Sequence, residues 1–247
     1  MSQLPASTSP ELQPTRDALL DAAEMLFSER GYAAVGIREI ADQAHANLAS
    51  IKYYFGSKSE LYLETVRRAM SRGEALAVWD VLREPLADAD AAAASLSRFI
   101  HLFLSRLLLS PEGTRCCSLM VREATQPSEA IDAVVRDFIR PHRDMLVRVI
   151  AVLRPDMSEP ELALASQSVL AQVLHFRVFR AFAERLDQQP LAEVERVQTV
   201  ADHIAGFSLT ALGCSNDQIA RAVEAGRESI EPALAAEGSR PQWRVVR

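Results

Sequence analysis

One segment near the N-terminus, residues 37–58, has residue types and spacing suited to contact with a nucleic acid. In its second half Ala49, Ser50 and Tyr53 would share the outer face of a helix, with Lys52 and Tyr54 at the edges of that face. Small side chains let a helix approach base edges in the major groove of DNA, and lysine or tyrosine groups can contact the phosphates beside it. The chemistry predicted for this segment is therefore noncovalent binding of double-stranded DNA.

The only two lysines of the chain, Lys52 and Lys58, both fall in this segment, whereas arginine is used throughout. Two explanations are open: the lysines are placed where phosphates pass, or a general preference for arginine leaves two lysines here by chance. Ser57 and Glu60 have the spacing of a capping box, which predicts a helix that starts beside Lys58. Free N–H groups and the helix dipole would then attract a phosphate to the same point as the lysine.

Two short helices and a tight turn must position these side chains. Residues of the first helix recur on one apolar face: Ile37, Ile40, Ala41 and Ala44. His45 and Ala46 then interrupt the pattern, and the Asn47 side chain can cap a second helix. In that second helix Leu48, Ile51 and Phe55 form a predicted core stripe. This arrangement predicts a helix-turn-helix motif.

Apolar, turn and aromatic positions form a longer pattern between Thr15 and Met70. Its members are Ala22-Ala23, Leu26-Phe27, Gly31-Tyr32, Arg38-Glu39-Ile40-Ala41, Tyr53-Tyr54-Phe55, Ser57-Lys58 and Leu61-Tyr62. In order and spacing this pattern resembles the N-terminal DNA-binding domain of the TetR family of bacterial repressors. The resemblance implies an all-helical homodimer that binds a palindromic operator, with a larger C-terminal domain that binds a small molecule. It also implies DNA-binding roles for Arg38, Asn47, Leu48, Ala49, Ser50, Lys52, Tyr53, Tyr54 and Lys58.

Three positions depart from the family pattern. Val35-Gly36 stands where a Ser or Thr usually caps the second helix, so a phosphate-binding hydroxyl is missing. His45 replaces a turn glycine, and we expect it to adopt a positive φ at some energetic cost; Ala49 replaces a glycine that would allow closer approach to DNA. Within the family, the segment from Met120 to Val149 looks most like a branch of drug-sensitivity regulators.

Charge and cysteine content indicate how the chain would bind DNA and in which compartment it would work. The chain of 247 residues carries a net charge of −6, and its first 70 residues contain seven Lys and Arg against nine Asp and Glu. We therefore expect DNA affinity to depend on a few placed cations and helix ends. The three cysteines form no C-x-x-C pair, which favours a reducing cytoplasm, and no segment is predicted to span a membrane. Cys116 and Cys117 are either a redox pair or small buried side chains.

Helix start and stop signals recur along the chain and predict an all-α fold. We expect a disordered arm at 1–14, the helix-turn-helix domain at 15–62, a helical ligand-binding and dimerisation domain at 63–236, and a tail at 237–247. The helix that begins near Ser57 is predicted to continue towards Leu82. The segment from Val169 to Phe182 is apolar on nearly every side, which predicts burial inside the bundle and against a second subunit, or around a cavity.

Candidate residues for the second domain follow from their type and position. Those proposed for effector binding, with core packing as the alternative, are Phe103, Met120, Phe138, His142, Met145, His175 and Phe179. Those proposed for the dimer interface are Phe182, Val200, Ile204 and Phe207.

The function predicted from the sequence is transcriptional regulation, most simply repression relieved by a small-molecule effector. One alternative is an architectural DNA-binding protein without an effector, and another is a helical enzyme. No G-x-S-x-G, P-loop or G-x-G-x-x-G motif and no metal-ligand spacing is present, so we expect no catalysis, no cofactor and no metal.

Overall fold

The computed structural model describes residues 12–71 and 78–238, and within those ranges every regular element is a helix. The predicted all-α fold class is confirmed. Most of the predicted arm and tail lie outside the described residues, as does the predicted continuation of the helix from Ser57 across residues 72–77.

Twelve helices lie in the described ranges. They are α1 (Leu12–Arg30), α2 (Ile37–Gln43), α3 (Leu48–Phe55), α4 (Lys58–Ser71), α5 (Ala89–Leu109), α6 (Pro111–Thr125), α7 (Ile131–Val134), α8 (Arg140–Leu153), α9 (Glu159–Val178), α10 (Arg180–Asp187), α11 (Val194–Ala211) and α12 (Asn216–Gly238), with a π-helical turn at Val135–Ile139 between α7 and α8.

Local signals in the sequence set many of the helix ends. Gly31 ends α1 with φ of 81°, a conformation that glycine adopts without steric cost. The predicted capping box at Ser158 is complete: the N–H of Ser158 donates to Glu161 Oε2 at 2.8 Å, and the Ser158 side chain accepts from the backbone of the third helical residue. These caps give α1 and α9 defined ends.

The chain divides into two compact units. Unit 1 contains residues 12–71 together with Arg115–Ile139. Its buried core joins side chains of α1 to α4 with side chains of the later segment: Leu19, Phe27, Ile40, Ile51, Phe55, Leu61, Tyr62, Val66, Leu119, Val134 and Phe138. The packing therefore differs from the predicted division at residue 62, because residues 115–139 bury their apolar side chains against α1 to α4.

Unit 2 contains residues 78–114 and 140–238 and is centred on α5. Helices α11 and α12 pack against α5, where Phe99 and His101 are fully buried. The His101 ring joins the helices: its Nδ1 lies 2.8 Å from the carbonyl oxygen of Ser97, and its Nε2 lies 3.0 Å from Asp202 Oδ1. Arg227 of α12 donates to both carboxylate oxygens of Asp202. A buried polar group with such partners fixes the register of the helices it joins.

Helix α5 is long and apolar enough to cross a membrane by length and composition, as is the bent pair of α9 and α10 if it counts as one span. However, 72% of the apolar window of α5 is buried inside the protein, which is the situation of a core helix.

The segment from Val169 to Phe182 is less buried within one chain than its apolar composition predicts. Only Val169 and Val173 of this segment are buried, and the chain bends by 73° between α9 and α10. Phe179 is 49% exposed and Phe182 67% exposed. Within one chain the second half of the segment is therefore not buried, and its burial against a second subunit stays a prediction.

Candidate nucleic-acid interface

The turn between α2 and α3 orients the candidate recognition helix. His45 has φ of 51°, as expected for a residue that replaces a turn glycine. Asn47 then caps α3, because its side-chain oxygen accepts a hydrogen bond from the backbone N–H of Ala49 at 2.8 Å. Both predictions for this turn are confirmed. Asn47, Leu48 and Ala49, at the start of α3, are all exposed.

Helix α3 is amphipathic. Ile51 and Phe55 are buried in the core of unit 1, whereas Ala49 and Lys52 are exposed and Tyr53 is 74% exposed. Leu48 is 38% exposed, so its prediction as a member of the core stripe is wrong. Leu48 is the first residue of α3, so it lies at the end of the apolar stripe and not within it.

Two tyrosines extend the exposed surface along α3. Tyr54 is half-buried, and its ring meets that of Tyr53 edge-on, with 5.0 Å between centroids and 78° between planes. Ser50 is also half-buried. The exposed surface thus changes from small side chains at Ala49 to aromatic ones at Tyr53.

The connection from α3 to α4 adds a second cation. Gly56 has φ of 77°, and the Ser57 hydroxyl accepts a hydrogen bond from the N–H of Glu60 at 3.1 Å. The N–H of Ser57 donates to the carbonyl of Phe55 at 2.9 Å and not to the side chain of Glu60. Only the serine half of the predicted capping box is therefore formed. Lys58, the first residue of α4, places Nζ 4.2 Å from the centroid of the Tyr32 ring. Partial burial lowers the pKa of Lys58, and the charge of Glu129 opposes this shift.

Arg38 is exposed on α2. This helix begins at Ile37, and its N-cap residue Gly36 makes no side-chain capping bond because it has no side chain. Helix α1 is joined to α2 by an ion pair between Arg30 and Glu39. Arg38, Lys52 and Lys58 are thus cations of three successive helices in unit 1.

The residues predicted to bind an effector do not form one group. Met120 packs against the core of unit 1, and Phe138 is 8% exposed within that core, so both have the core contacts that were the alternative to effector binding. In unit 2 the rings of Phe103 and His142 lie 5.6 Å and 4.3 Å from that of Trp79. Trp79 was not among the residues predicted from the sequence, where its only signal is a tryptophan in an apolar stretch.

The other effector candidates lie elsewhere in unit 2. Met145 is half-buried on α8. The rings of His175 and Phe179 stack with 5.3 Å between centroids and 19° between planes, at the end of α9. Since Phe179 is 49% exposed, this stacked pair lies at the surface of the chain.

The predicted dimer residues also separate into two kinds. Val200 and Ile204 are 5% and 1% exposed, because they face the core of unit 2. Their assignment to a dimer interface is corrected, since a side chain buried within one chain has no surface to offer a partner. Phe182 and Phe207 are 67% and 61% exposed.

Among the described residues, no group of three or more His, Cys, Asp or Glu side chains is arranged to hold a metal ion. Cys116 is half-buried with its sulfur 3.4 Å from that of Met70, and Cys117 is buried.

Two family models match the chain. The model for bacterial regulatory proteins of the tetR family matches residues 19–65, and the model for the C-terminal domain of the HTH-type transcriptional dual regulator CecR matches residues 92–212. The chain belongs to the TetR family. The first match covers the exposed face of α3, and the second includes the whole segment from Met120 to Val149 that resembled a branch of the family.

Individual relatives agree with this assignment. CecR of Shigella flexneri is 28% identical over 173 residues, which are 67% of this chain and 77% of CecR. The HTH-type transcriptional repressor NicS of Pseudomonas putida is 38% identical over 89 residues, which are 35% of this chain and 40% of NicS. Both relatives are transcriptional regulators, as expected for a DNA-binding member of the TetR family.

Solved structures share the fold. NalD, the secondary repressor of the MexAB-OprM multidrug efflux pump in Pseudomonas aeruginosa, has a TM-score of 0.57 and 18% identity, covering 81% of this chain and 96% of NalD. A TetR-like transcriptional regulator from Rhodococcus sp. RHA1 has a TM-score of 0.55 and 21% identity, covering 86% and 100% of the two chains.

Proposed function

We propose that this TetR-family regulator is a cytoplasmic repressor that binds a palindromic operator as a homodimer and leaves it when a small molecule binds unit 2. The observation that carries the proposal is the exposed face of α3, with Ala49 near a capped N-terminus, then Lys52 and Tyr53. Such a face fits the major groove, and two copies in a dimer would occupy half-sites about one helical turn of DNA, roughly 34–36 Å, apart.

The proposed DNA contacts fall into three groups: contacts to phosphates, contacts to base edges, and the backbone-near residues of the first turn of α3. Lys52 and Lys58 carry positive charge to phosphates, and Tyr53 and Tyr54 can hydrogen-bond to them through their phenols. Arg38 and Ser50 are proposed to contact base edges. The remaining members, which form the first turn of α3 and approach the groove closely, are Asn47, Leu48 and Ala49.

For the effector, the half-buried aromatic surroundings of Trp79 in unit 2 support a role for Phe103 and His142, with Met145 as a further candidate. The ligand must bind one arrangement of the protein more tightly than the other, and the resulting coupling to DNA binding is typically about 1–3 kcal/mol. The protein would then act through binding alone, without catalysis.

Selection of genomic fragments by the purified protein tests DNA recognition and supplies an operator. On the recovered fragment, we expect Lys52→Ala and Lys58→Ala each to weaken binding and to reduce the slope of log affinity against log salt by about one. Arg83→Ala removes an exposed positive charge from unit 2, where no DNA contact is proposed, and is the control; its side chain is 53% exposed. Wild-type affinity and salt slope in both lysine variants would refute the proposed docking.

Base recognition and effector binding need separate measurements. Binding-site selection with Arg38→Ala and Ser50→Ala should change base preference more than Lys58→Ala does. Effector binding should change the fluorescence of Trp79 in a Trp243→Phe background and raise the melting temperature in a compound screen. A protein that binds its operator but responds to no compound in either assay would instead fit an architectural DNA-binding role.

A further inference from the structure

The last turn of α6 holds a buried carboxylate that bonds to a tyrosine of α4. Glu123 is 3% exposed, and its Oε2 accepts a hydrogen bond from the Tyr62 hydroxyl at 2.8 Å. Its Oε1 accepts from the N–H and the hydroxyl of Ser128, at 3.1 Å and 2.9 Å. Three donors around a buried carboxylate make strong charge-assisted bonds, so Ser128 is held in place within unit 1.

The position of Ser128 sets the position of the next residue. Glu129 directs Oε1 to the hydroxyl of Tyr32, which donates to it at 2.6 Å. The Tyr32 ring is packed on its other sides by the rings of Phe27 and Tyr62, with centroids 6.0 Å and 5.1 Å away. Tyr32 is therefore held in place by two aromatic contacts on its ring and by a carboxylate at its hydroxyl.

Lys58 rests on this ring, with Nζ 4.2 Å from its centroid. A cation is attracted to the negative face of an aromatic ring, and the attraction grows with the electron density of the ring. A phenol that donates its proton towards a carboxylate gains such density. Partial burial and the bond to Glu129 also raise the pKa of Tyr32, which keeps the phenol protonated as the donor.

We propose that Glu129 is a positioning residue for DNA binding, which acts through Tyr32 to hold the ammonium group of Lys58 at the start of α4, where a DNA phosphate can meet it. The inference rests on the proposed phosphate contact of Lys58. It assigns a function to residues 115–139, which belong to unit 1 by packing and are joined to unit 2 through the chain at both ends. A change in this segment would reach a DNA contact through three side chains, those of Glu129, Tyr32 and Lys58.

The first test needs no DNA. Because the chain has only two lysines, reductive methylation with ¹³C labels Lys52, Lys58 and the N-terminal amine, and the spectrum of Lys58→Arg identifies the Lys58 signal. We expect the Lys58 methyl signal to be shifted by the ring current of Tyr32. Glu129→Ala should move it towards the signal of exposed Lys52, and Glu129→Gln, which keeps a neutral acceptor, should move it less. A Lys58 signal that is the same in wild type and Glu129→Ala overturns the proposal.

The second test uses a DNA fragment that the wild-type protein recovers from genomic DNA. Loss of a partly exposed cation–π contact corresponds to about a two- to fivefold weaker affinity, which we expect for Glu129→Ala together with a shallower salt dependence. In a Lys58→Ala background, Glu129→Ala should have no further effect, because its action passes through Lys58. Asp132→Ala removes the same charge from an exposed position in the same segment and is the control.

The outcomes separate this inference from the proposed function. The inference about Glu129 is overturned by unchanged or tighter DNA binding of Glu129→Ala. It is also overturned if the effect of Glu129→Ala simply adds to that of Lys58→Ala. A variant that only lowers the melting temperature, with the Lys58 signal and the salt dependence unchanged, shows a structural role and also overturns it. If Lys58→Ala leaves affinity unchanged, the proposed phosphate contact fails and the inference with it, whereas a Lys58 signal that depends on Glu129 would still show an intact ring contact.

Discussion

Replacement of Phe207 by glutamate tests whether an exposed apolar surface of the protomer forms the dimer interface. Phe207 lies on α11 and is 61% exposed, while Ile204, one turn earlier on the same helix, is 1% exposed. A glutamate at Phe207 can therefore stay hydrated in an isolated chain and be buried only in a dimer. If the exposed face of α11 forms the proposed interface, the substitution should break the dimer and leave the fold of unit 2 intact.

The size of the effect follows from the area that a partner would cover. A large aromatic side chain buries about 150–250 Å² when fully covered. Covering the 61% of Phe207 that is exposed would then remove about 90–150 Å² from water, or about 2–4 kcal/mol at about 25 cal/mol per Å². A two-fold interface contains the residue twice, so its loss weakens dimerisation by roughly three to five orders of magnitude.

Sedimentation velocity over a range of concentrations measures this change, and circular dichroism checks the fold. Phe207→Glu should sediment as a helical monomer with weak operator binding, because two linked recognition helices gain an effective-concentration advantage that separate chains lack. Val200→Glu is the contrasting variant: it places a charge where only 5% of the residue is exposed, so it should lose helix content or aggregate. A dimer of Phe207→Glu with wild-type operator affinity would refute the proposed interface on α11, and Phe182→Glu would then test the exposed face of α10.

Three further changes test the local structure. Asn47→Ala removes the cap of α3 and should lower the free energy of unfolding by about 0.5–2 kcal/mol, measured by thermal or urea unfolding. Gly226→Ala would place a methyl group 2.6 Å from the Ser97 hydroxyl oxygen, so overpacking should cost about 1–3 kcal/mol in the same assay. Burial raises the pKa of Asp202, but hydrogen bonds from Arg227 and His101 outweigh it and lower that pKa overall. Its ionised form therefore stabilises the fold above the unfolded pKa of about 3.9, so Asp202→Asn should destabilise the protein by about 1–3 kcal/mol at neutral pH, with the difference from wild type shrinking as pH falls below about 4.

Features that depend only on neighbouring residues were predicted best from the sequence. The Asn47 cap, the positive φ of His45 and the capping box at Ser158 each depend on residues within three positions of one another. Side-chain hydrogen bonds at helix ends are short-range, so their residue types recur at fixed spacing and can be read without knowing the fold. The same reasoning found the exposed face of α3, because a short helix with one apolar stripe has only one way to face its core.

Helical periodicity did not identify the partner of other apolar residues. Val200, Ile204 and Phe207 all lie on α11, and their apolar type predicted burial without showing that Val200 and Ile204 are covered by the same chain whereas Phe207 is exposed in it. Met120 and Phe138 were similarly proposed to bind a ligand, and they pack in the core of unit 1. An apolar side chain forms no directional bonds. Its type therefore predicts that it is buried but does not identify the surface that buries it.

Polar contacts between distant residues were the least predictable part of the candidate site. Tyr32 and Glu129 are 97 positions apart, and Tyr62 and Glu123 are 61 apart, so no spacing rule connects them. Their pairing follows from the packing of residues 115–139 into unit 1, which the sequence alone placed in another domain. The first 70 residues carry more acidic than basic side chains, so DNA affinity cannot come from a general positive field. We therefore expect it to depend on where each cation is held, which is why the proposed positioning of Lys58 by Glu129 and Tyr32 can be tested through DNA affinity.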